Sequence, residues 1–240
     1  MDTVLDRVRC ITFDLDDTLW ECAPVIHRAE AQFYRWLESN FPDVTQQFSY
    51  TELLQNRIAY MRAHSTELYN LTRLRKNWLH QVAKLCGYDE ELVEPGFNIF
   101  WQARNQVALF DDVEATLEQL GGKYLIGAIT NGNADVAKIG IGHLFDFVVT
   151  SEEVEVSKPD NKLFTTAASK AGVEIGSILH VGDDPVKDVM GALNAGALAA
   201  WVTGDTTDNW SEELTPHMIV SHVKDLIPYL YLPRSRIPRL

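Results

Sequence analysis

Two rhythms of apolar and polar residues divide the chain. Arg9 apart, residues 8–13 form a mainly apolar run with β-branched members, and the run stops at Asp14, Asp16 and Asp17, the pattern of a buried strand that ends on a charged rim. After a short irregular link over 19–24 the period becomes helical: Val25, Ala29, Phe33, Trp36 and Leu37 form one stripe, and further helices are predicted over 51–63, 72–85 and 89–103. Gly87 closes the third, and Pro95-Gly96 is expected to split or kink the last. About eighty residues of helix therefore separate the first strand from the next. A single crossover helix does not need that length, so the segment is expected to fold as a small bundle inserted beside a sheet.

From Phe110 onward strand and helix alternate. Strands are predicted over 124–130, 147–150, 177–181, 197–202 and 218–220, with helices over 111–120, 133–139, 161–171 and 185–195. This alternation predicts an α/β fold with a mostly parallel sheet and helices on both faces, whose functional groups gather at the carboxyl ends of the strands. The expected division is a core from 1–20 and 108–240 and a helical insert from 21–107. Residues 205–213 read as a polar loop, and 233–240, with Arg234, Arg236 and Arg239 among prolines, as a solvated end.

Composition narrows the partners. A chain of 240 residues that is 46% hydrophobic can bury a real core,. A formal charge of −13 would repel nucleic acid and anionic membranes over most of the surface,, so neither is an expected partner, and an anionic small substrate needs local compensation. Cys10, Cys22 and Cys86 are odd in number and widely spaced, which suits a reducing compartment better than a disulfide framework or a zinc knuckle. None of the seven histidines forms an i, i+4 pair, against a zinc enzyme. No leader-like apolar segment opens the chain and no run is long enough to cross a bilayer; the expectation is a soluble cytoplasmic protein.

The chemistry lies at the predicted strand ends. Carboxylates two apart repel one another, so Asp14 and Asp16 are expected to bind a metal, share a proton, or both. An acidic turn would look the same on its own. The further strand ends, however, supply Thr130-Asn131-Gly132, Ser157-Lys158-Pro159 and Gly182-Asp183-Asp184, with Asp188 beyond, and all of these fall on one rim of a parallel sheet. Together they are what phosphoryl transfer from a monoester requires. Asp14 is the candidate nucleophile. Asp16 is the candidate acid that protonates the leaving alcohol and the base that then activates water. Thr130 and the N–H groups near Asn131 and Gly132 are expected to hold phosphoryl oxygens, with Lys158 neutralising charge opposite them. Asp14, Asp183 and the backbone carbonyl of Asp16 are expected to supply hard oxygen ligands to Mg²⁺. Asp188 is placed behind them, orienting Lys158 or a metal-bound water, and Asp184 either joins that outer layer or partners a helix N-terminus.

Other residues admit plainer readings. Of Arg57, Arg62, Arg73, Arg75 and Arg104 in the insert, most are expected to be solvated, with Arg73 and Arg75 the preferred substrate contacts. Trp20 either borders the pocket or packs beneath the insert. Trp36, Trp78 and Trp101 lie on apolar stripes, and His180 reads as a satisfied core histidine.

Four motifs in order, Phe13-Asp14-Leu15-Asp16-Asp17-Thr18-Leu19, Ile129-Thr130-Asn131-Gly132, Ser157-Lys158-Pro159-Asp160 and His180-Val181-Gly182-Asp183-Asp184, resemble those of the haloacid dehalogenase-like hydrolases. The resemblance implies a Rossmann-like core, dependence on Mg²⁺, an aspartyl-phosphate intermediate and a small helical cap closing over the site. Asp16 favours a phosphatase within that family, because a halide leaving group needs no proton. The runs Ala128-Ile129-Thr130-Asn131-Gly132-Asn133-Ala134, Ile175-Gly176-Ser177-Ile178-Leu179 leading into the last motif, and Thr72-Arg73-Leu74-Arg75 are further similar to bacterial phosphatases acting on flavin mononucleotide and on 5-amino-6-(5-phospho-ribitylamino)uracil. The expected partner is thus a small phosphorylated metabolite, with a phosphorylated flavin or riboflavin precursor ahead of a sugar phosphate, phosphoglycolate or nucleotide. A 2-haloacid dehalogenase, a phospho-accepting receiver module and a silent binding protein are the alternatives, each disfavoured by Asp16, the insert or the intact set of reactive groups.

Overall fold

The computed structural model describes residues 4–204 and 215–231; the expected polar loop over 205–213 and the tail over 233–240 lie outside them. In chain order the elements are β1 (Cys10–Phe13), α1 (Cys22–Asn40), α2 (Pro42–Gln47), α3 (Tyr50–Ala63), α4 (Leu71–Leu85), α5 (Val93–Arg104), α6 (Val113–Gly121), β2 (Leu125–Thr130), α7 (Val136–Ile139), β3 (Phe147–Thr150), α8 (Ser151–Val154), α9 (Asn161–Ala171), β4 (Ile178–Gly182), a π-helical turn (Pro185–Met190), α10 (Gly191–Ala195), β5 (Leu198–Val202), β6 (Met218–Val220) and α11 (Leu226–Tyr231). They form two compact units. One is helical, built from Cys22–Val107 with Asn133–Ile139, and the other is the Rossmann-like core built from the rest of the described chain.

The core is a six-stranded sheet in the order β3-β2-β1-β4-β5-β6, and every pairing is parallel. β1 and β4 are buried along their whole length, as parallel strands covered on both faces must be. Cys10, Ile129, Ile178, Ala199 and Trp201 face Leu163 and Phe164 of α9 and Ala192 of α10 in one apolar cluster. The register sets Phe13 beside Ala128 on one side and Val181 on the other, so β1, β2 and β4 end within two residues of one another, at Phe13, Thr130 and Gly182. That alignment builds the site.

In the helical unit α1 buries Val25, Ala29, Phe33 and Leu37 on one stripe. It starts at Cys22, earlier than its apolar stripe, because Pro24 is harmless in a first turn whose N–H groups have no helical partner. For the same reason Pro95 opens α5 instead of kinking a longer helix. Gly96 has a packing role: a Cβ there would stand 3.1 Å from the Phe33 ring and 3.2 Å from the Trp36 ring, so the glycine lets α5 lie close against α1. Ser49 and Glu52 close α3 with a reciprocal capping box,. Residues 133–139 belong to this unit and not to the core, since Trp101 Nε1 donates to the Asn133 carbonyl at 3.2 Å and the Asp135 N–H to Asn105 Oδ1 at 2.7 Å.

Candidate active site

The geometry starts from the end of β1. The Asp14 N–H donates to the Val181 carbonyl at 2.9 Å, which continues the ladder one residue past the strand and fixes the Asp14 side chain at the rim. Lys158, from the loop before α9, reaches the same point from below. Its Nζ lies 2.7 Å from Asp14 Oδ1 and 2.6 Å from Asp188 Oδ1, and it also donates to the Ile129 carbonyl at 3.0 Å. With 3% of its surface exposed, this ammonium keeps its charge only because two carboxylates outweigh burial and hold its pKa above the usual lysine range,.

Asp188 is the hub beneath the rim. Oδ1 takes Lys158 and the His180 Nε2 at 3.1 Å, and Oδ2 accepts from the Asp184 N–H at 3.0 Å. Burial would raise its pKa, but Lys158 and His180 hold the carboxyl well below the ordinary range. The His180 Nδ1 pairs with Thr12 Oγ1 at 2.9 Å, and burial lowers this histidine's pKa. His180 is therefore the satisfied core residue the sequence suggests, with a second duty of bracing Asp188.

Asp183 completes the acidic set. Thr18 Oγ1 donates to its Oδ1 at 2.8 Å, and Trp201 Nε1 to its backbone carbonyl at 2.8 Å. Burial and the nearby Asp188 push the Asp183 carboxyl up to about 6 despite the Thr18 hydrogen bond. Burial also raises Asp14, with Lys158 opposing and Asp188 adding, to about 8. One carboxylate oxygen from each of Asp14, Asp183 and Asp188 lies within 4.8 Å of the others. Three acids thus meet where Lys158 pairs with two of them, Asp14 and Asp188, and burial with the neighbouring carboxylates holds Asp14 and Asp183 above their normal pKa. A divalent cation fits this deficit, and an all-oxygen donor set suits a hard ion such as Mg²⁺.

The other sequence-derived residues are distributed differently. Asp16 is not part of that carboxylate group: its Oδ1 accepts from the Trp20 indole N–H at 2.9 Å. Trp20 is fully buried, so it packs and does not border an open pocket. Thr130 is buried at the end of β2, and its hydroxyl accepts the Gly132 N–H at 2.9 Å, which turns that amide onto the threonine instead of outward. The Asn131 side chain has a separate task. Its Oδ1 accepts the Lys158 N–H at 2.7 Å and its Nδ2 donates to the Lys158 carbonyl at 3.2 Å, so the side chain pins the lysine loop. Asp184 caps the π-helical turn, accepting from the Val186 and Lys187 N–H groups and from Lys187 Nζ. Those bonds overcome burial and lower its pKa; it is a helix partner and not part of the metal group.

Arg75 leaves the substrate set altogether. It is buried in the helical unit, gripping Glu30 through both terminal nitrogens at 2.8 and 2.9 Å, and its guanidinium stacks 3.3 Å from the Phe100 ring centroid. Arg73 is exposed and bonded to Tyr69 Oη at 2.8 Å and Glu67 at 3.3 Å. Sequence reasoning gave no role to Thr18, Thr12 or Trp201. Thr18 carried a signal, a hydroxyl four residues after Asp14 in the same motif; Thr12 and Trp201 are strand residues with none.

Three acids, Asp188 buried and Asp14 and Asp183 half-buried, meet at the carboxyl ends of a parallel α/β sheet, where such folds place their functional sites,. A family model described as haloacid dehalogenase-like hydrolase matches residues 8–196, and the chain belongs to that family. Among relatives, the 5-amino-6-(5-phospho-D-ribitylamino)uracil phosphatase YigB of Escherichia coli (strain K12) is 34% identical over 92% of this chain and 96% of its own. The N-acylneuraminate-9-phosphatase of Homo sapiens is 28% identical over 92% and 93%. Among solved structures, a 2-haloacid dehalogenase from Pseudomonas syringae pv. Tomato DC3000 aligns with a TM-score of 0.85 and 32% identity, over 93% of this chain and 97% of that one. The family and its phosphatase relatives make this chain a phosphatase.

Proposed function

We propose that the protein is a Mg²⁺-dependent phosphomonoesterase that works through an aspartyl-phosphate on Asp14, with a phosphorylated flavin or riboflavin precursor as its substrate class. The observation that carries the chemistry is the Asp14–Lys158–Asp188 chain, with Lys158 and Asp188 buried, and Asp183 beside it at the strand ends. The substrate class rests on the named activity of the E. coli relative.

In this mechanism an Asp14 carboxylate oxygen forms a bond to phosphorus as the bond to the leaving alcohol breaks. Asp16 gives its proton to that alcohol oxygen, then takes one from the water that attacks the aspartyl-phosphate, and inorganic phosphate departs. Lys158 offsets negative charge at Asp14 throughout, and the Thr130 hydroxyl donates to a phosphoryl oxygen. Asp14, Asp183 and the Asp16 carbonyl would hold the cation, which supplies the positive charge that keeps Asp14 ionised and shields it from the phosphate dianion. The helical unit is assigned the role of cap, and among its arginines Arg73 keeps the exposed guanidinium that recognition of an anionic or planar substrate asks for.

A dehalogenase reading has one observation in its favour, the solved neighbour of that title. Displacing a halide needs no general acid, whereas this chain carries a carboxyl at Asp16, tied to Trp20 just beyond the nucleophile. The test is phosphate release from flavin mononucleotide, the ribitylaminouracil phosphate, sugar phosphates and nucleotides, with Mg²⁺ and with chelator, beside halide release from 2-chloropropionate. Preference for the flavin-type members by about tenfold in kcat/KM, lost with chelator and in Asp14→Asn, is the expected result. Halide release without phosphate release would overturn it.

A further inference from the structure

Just past the candidate nucleophile the chain folds back on itself in a short hook that runs from Leu15 through Asp16 to Trp20. Leu19 N–H donates to the Leu15 carbonyl and Asp17 N–H to the Trp20 carbonyl, both at 2.8 Å. Asp17 turns the hook with a left-handed φ of 61°. On its outer side Phe110 N–H donates to the Leu19 carbonyl at 2.9 Å, and Trp20 bridges Leu109. The indole at the end of the hook is fully buried, and its N–H, which can only donate, points at Asp16 Oδ1, 2.9 Å away,.

We infer that Trp20 is a positioning residue: by anchoring one oxygen of Asp16 it aims the carboxyl at the leaving-group oxygen of the substrate. The inference rests on the reading of Asp16 as general acid and base. A carboxyl rotates in a broad, shallow well about its last side-chain torsion, whereas proton transfer needs a heavy-atom separation of about 2.6–3.2 Å. A hydrogen bond from a buried ring, accepted by the same oxygen whether the carboxyl is ionised or carries its proton on the other oxygen, removes that freedom,. No other aromatic side chain pairs a large apolar body with a donor that cannot turn round and accept.

The test compares two substrates of similar shape, p-nitrophenyl phosphate, whose phenolate leaves with little protonation, and benzyl phosphate, whose alkoxide needs a proton. The ratio of their kcat/KM values within one sample cancels any misfolded fraction. Trp20→Phe keeps the bulk and removes the N–H, and it is expected to lose about tenfold more from benzyl phosphate than from p-nitrophenyl phosphate, with Asp16→Asn widening the ratio by about a hundredfold. An unchanged ratio in Trp20→Phe, whether both rates persist or fall together, overturns the positioning role while Asp16→Asn still widens it. An unchanged ratio in Asp16→Asn overturns the acid assignment on which the inference stands.

Discussion

Gly182 ends β4 at a point where no side chain fits. A Cβ there would lie inside contact distance of the Asp188 carboxyl, and Asp188 has nowhere to retreat because it holds Lys158, His180 and the Asp184 N–H at once. Gly182→Ala is therefore expected to cost about 1–3 kcal/mol by overpacking and to lower phosphate release by about a hundredfold through displacement of Lys158. Thermal unfolding and a phosphate assay check both, and wild-type values in the two would show that Asp188 moves without consequence. Residues of this kind are partly legible in sequence. Lys158 and Asp183 can be read because each follows a predicted strand end in a recognisable run. Arg75 cannot, because its partner Glu30 lies 45 residues away on another helix, and nothing local separates a buried ion pair from a solvated arginine.

Among the elements, α1 and α4 are joined by that pair. Glu30 is also 3.1 Å from the Arg57 Nε of α3, so one buried carboxylate ties three helices together. Burial opposes its charge, but Arg75 and then Arg57 outweigh burial and lower its pKa in the fold. A depressed folded pKa contributes stability above the unfolded value, about 4.3, and loses it as the pH falls through the folded value. Arg75 itself is pulled down by burial, yet an arginine remains charged across this range, so the acid limb belongs to Glu30. Glu30→Gln is expected to lose about 3 kcal/mol at neutral pH and to show a flatter fall in stability below about pH 4.3 than the wild type. Denaturant unfolding at a series of pH values measures this; equal losses at neutral and acid pH would refute it. The helices that carry the pair are legible from their stripes, because α1 and α4 each bury one face. The π-helical turn over Pro185–Met190 is not, since its sequence has the composition of an ordinary helix and its widened turn answers to Asp184 and Asp188.

For the whole molecule, strand order decides what the site can be. Alternation in the sequence predicts a parallel sheet but not that β1 lies between β2 and β4, and it is this order that brings residues 14, 158, 183 and 188 together from across the chain. The molecule carries a formal charge of −13 and gathers three acids at one rim, so folding there proceeds against repulsion that a bound cation would relieve. Ligand binding to the folded state alone stabilises by about 2.7 kcal/mol at a hundred times Kd, worth roughly 5–10 °C in Tm for a chain of this size. Saturating Mg²⁺ is expected to raise Tm by that order, and chelator to reverse it. Asp183→Asn should lose most of the shift, because one of the proposed oxygen ligands becomes a neutral amide. Glu30→Gln should start from a lower Tm and keep the full shift, since Glu30 belongs to the helical unit and not to the acidic rim. Scanning calorimetry with and without Mg²⁺ separates the cases: an Asp183→Asn shift as large as the wild type's would place the cation elsewhere, and no shift in any variant would remove the metal from the proposed mechanism.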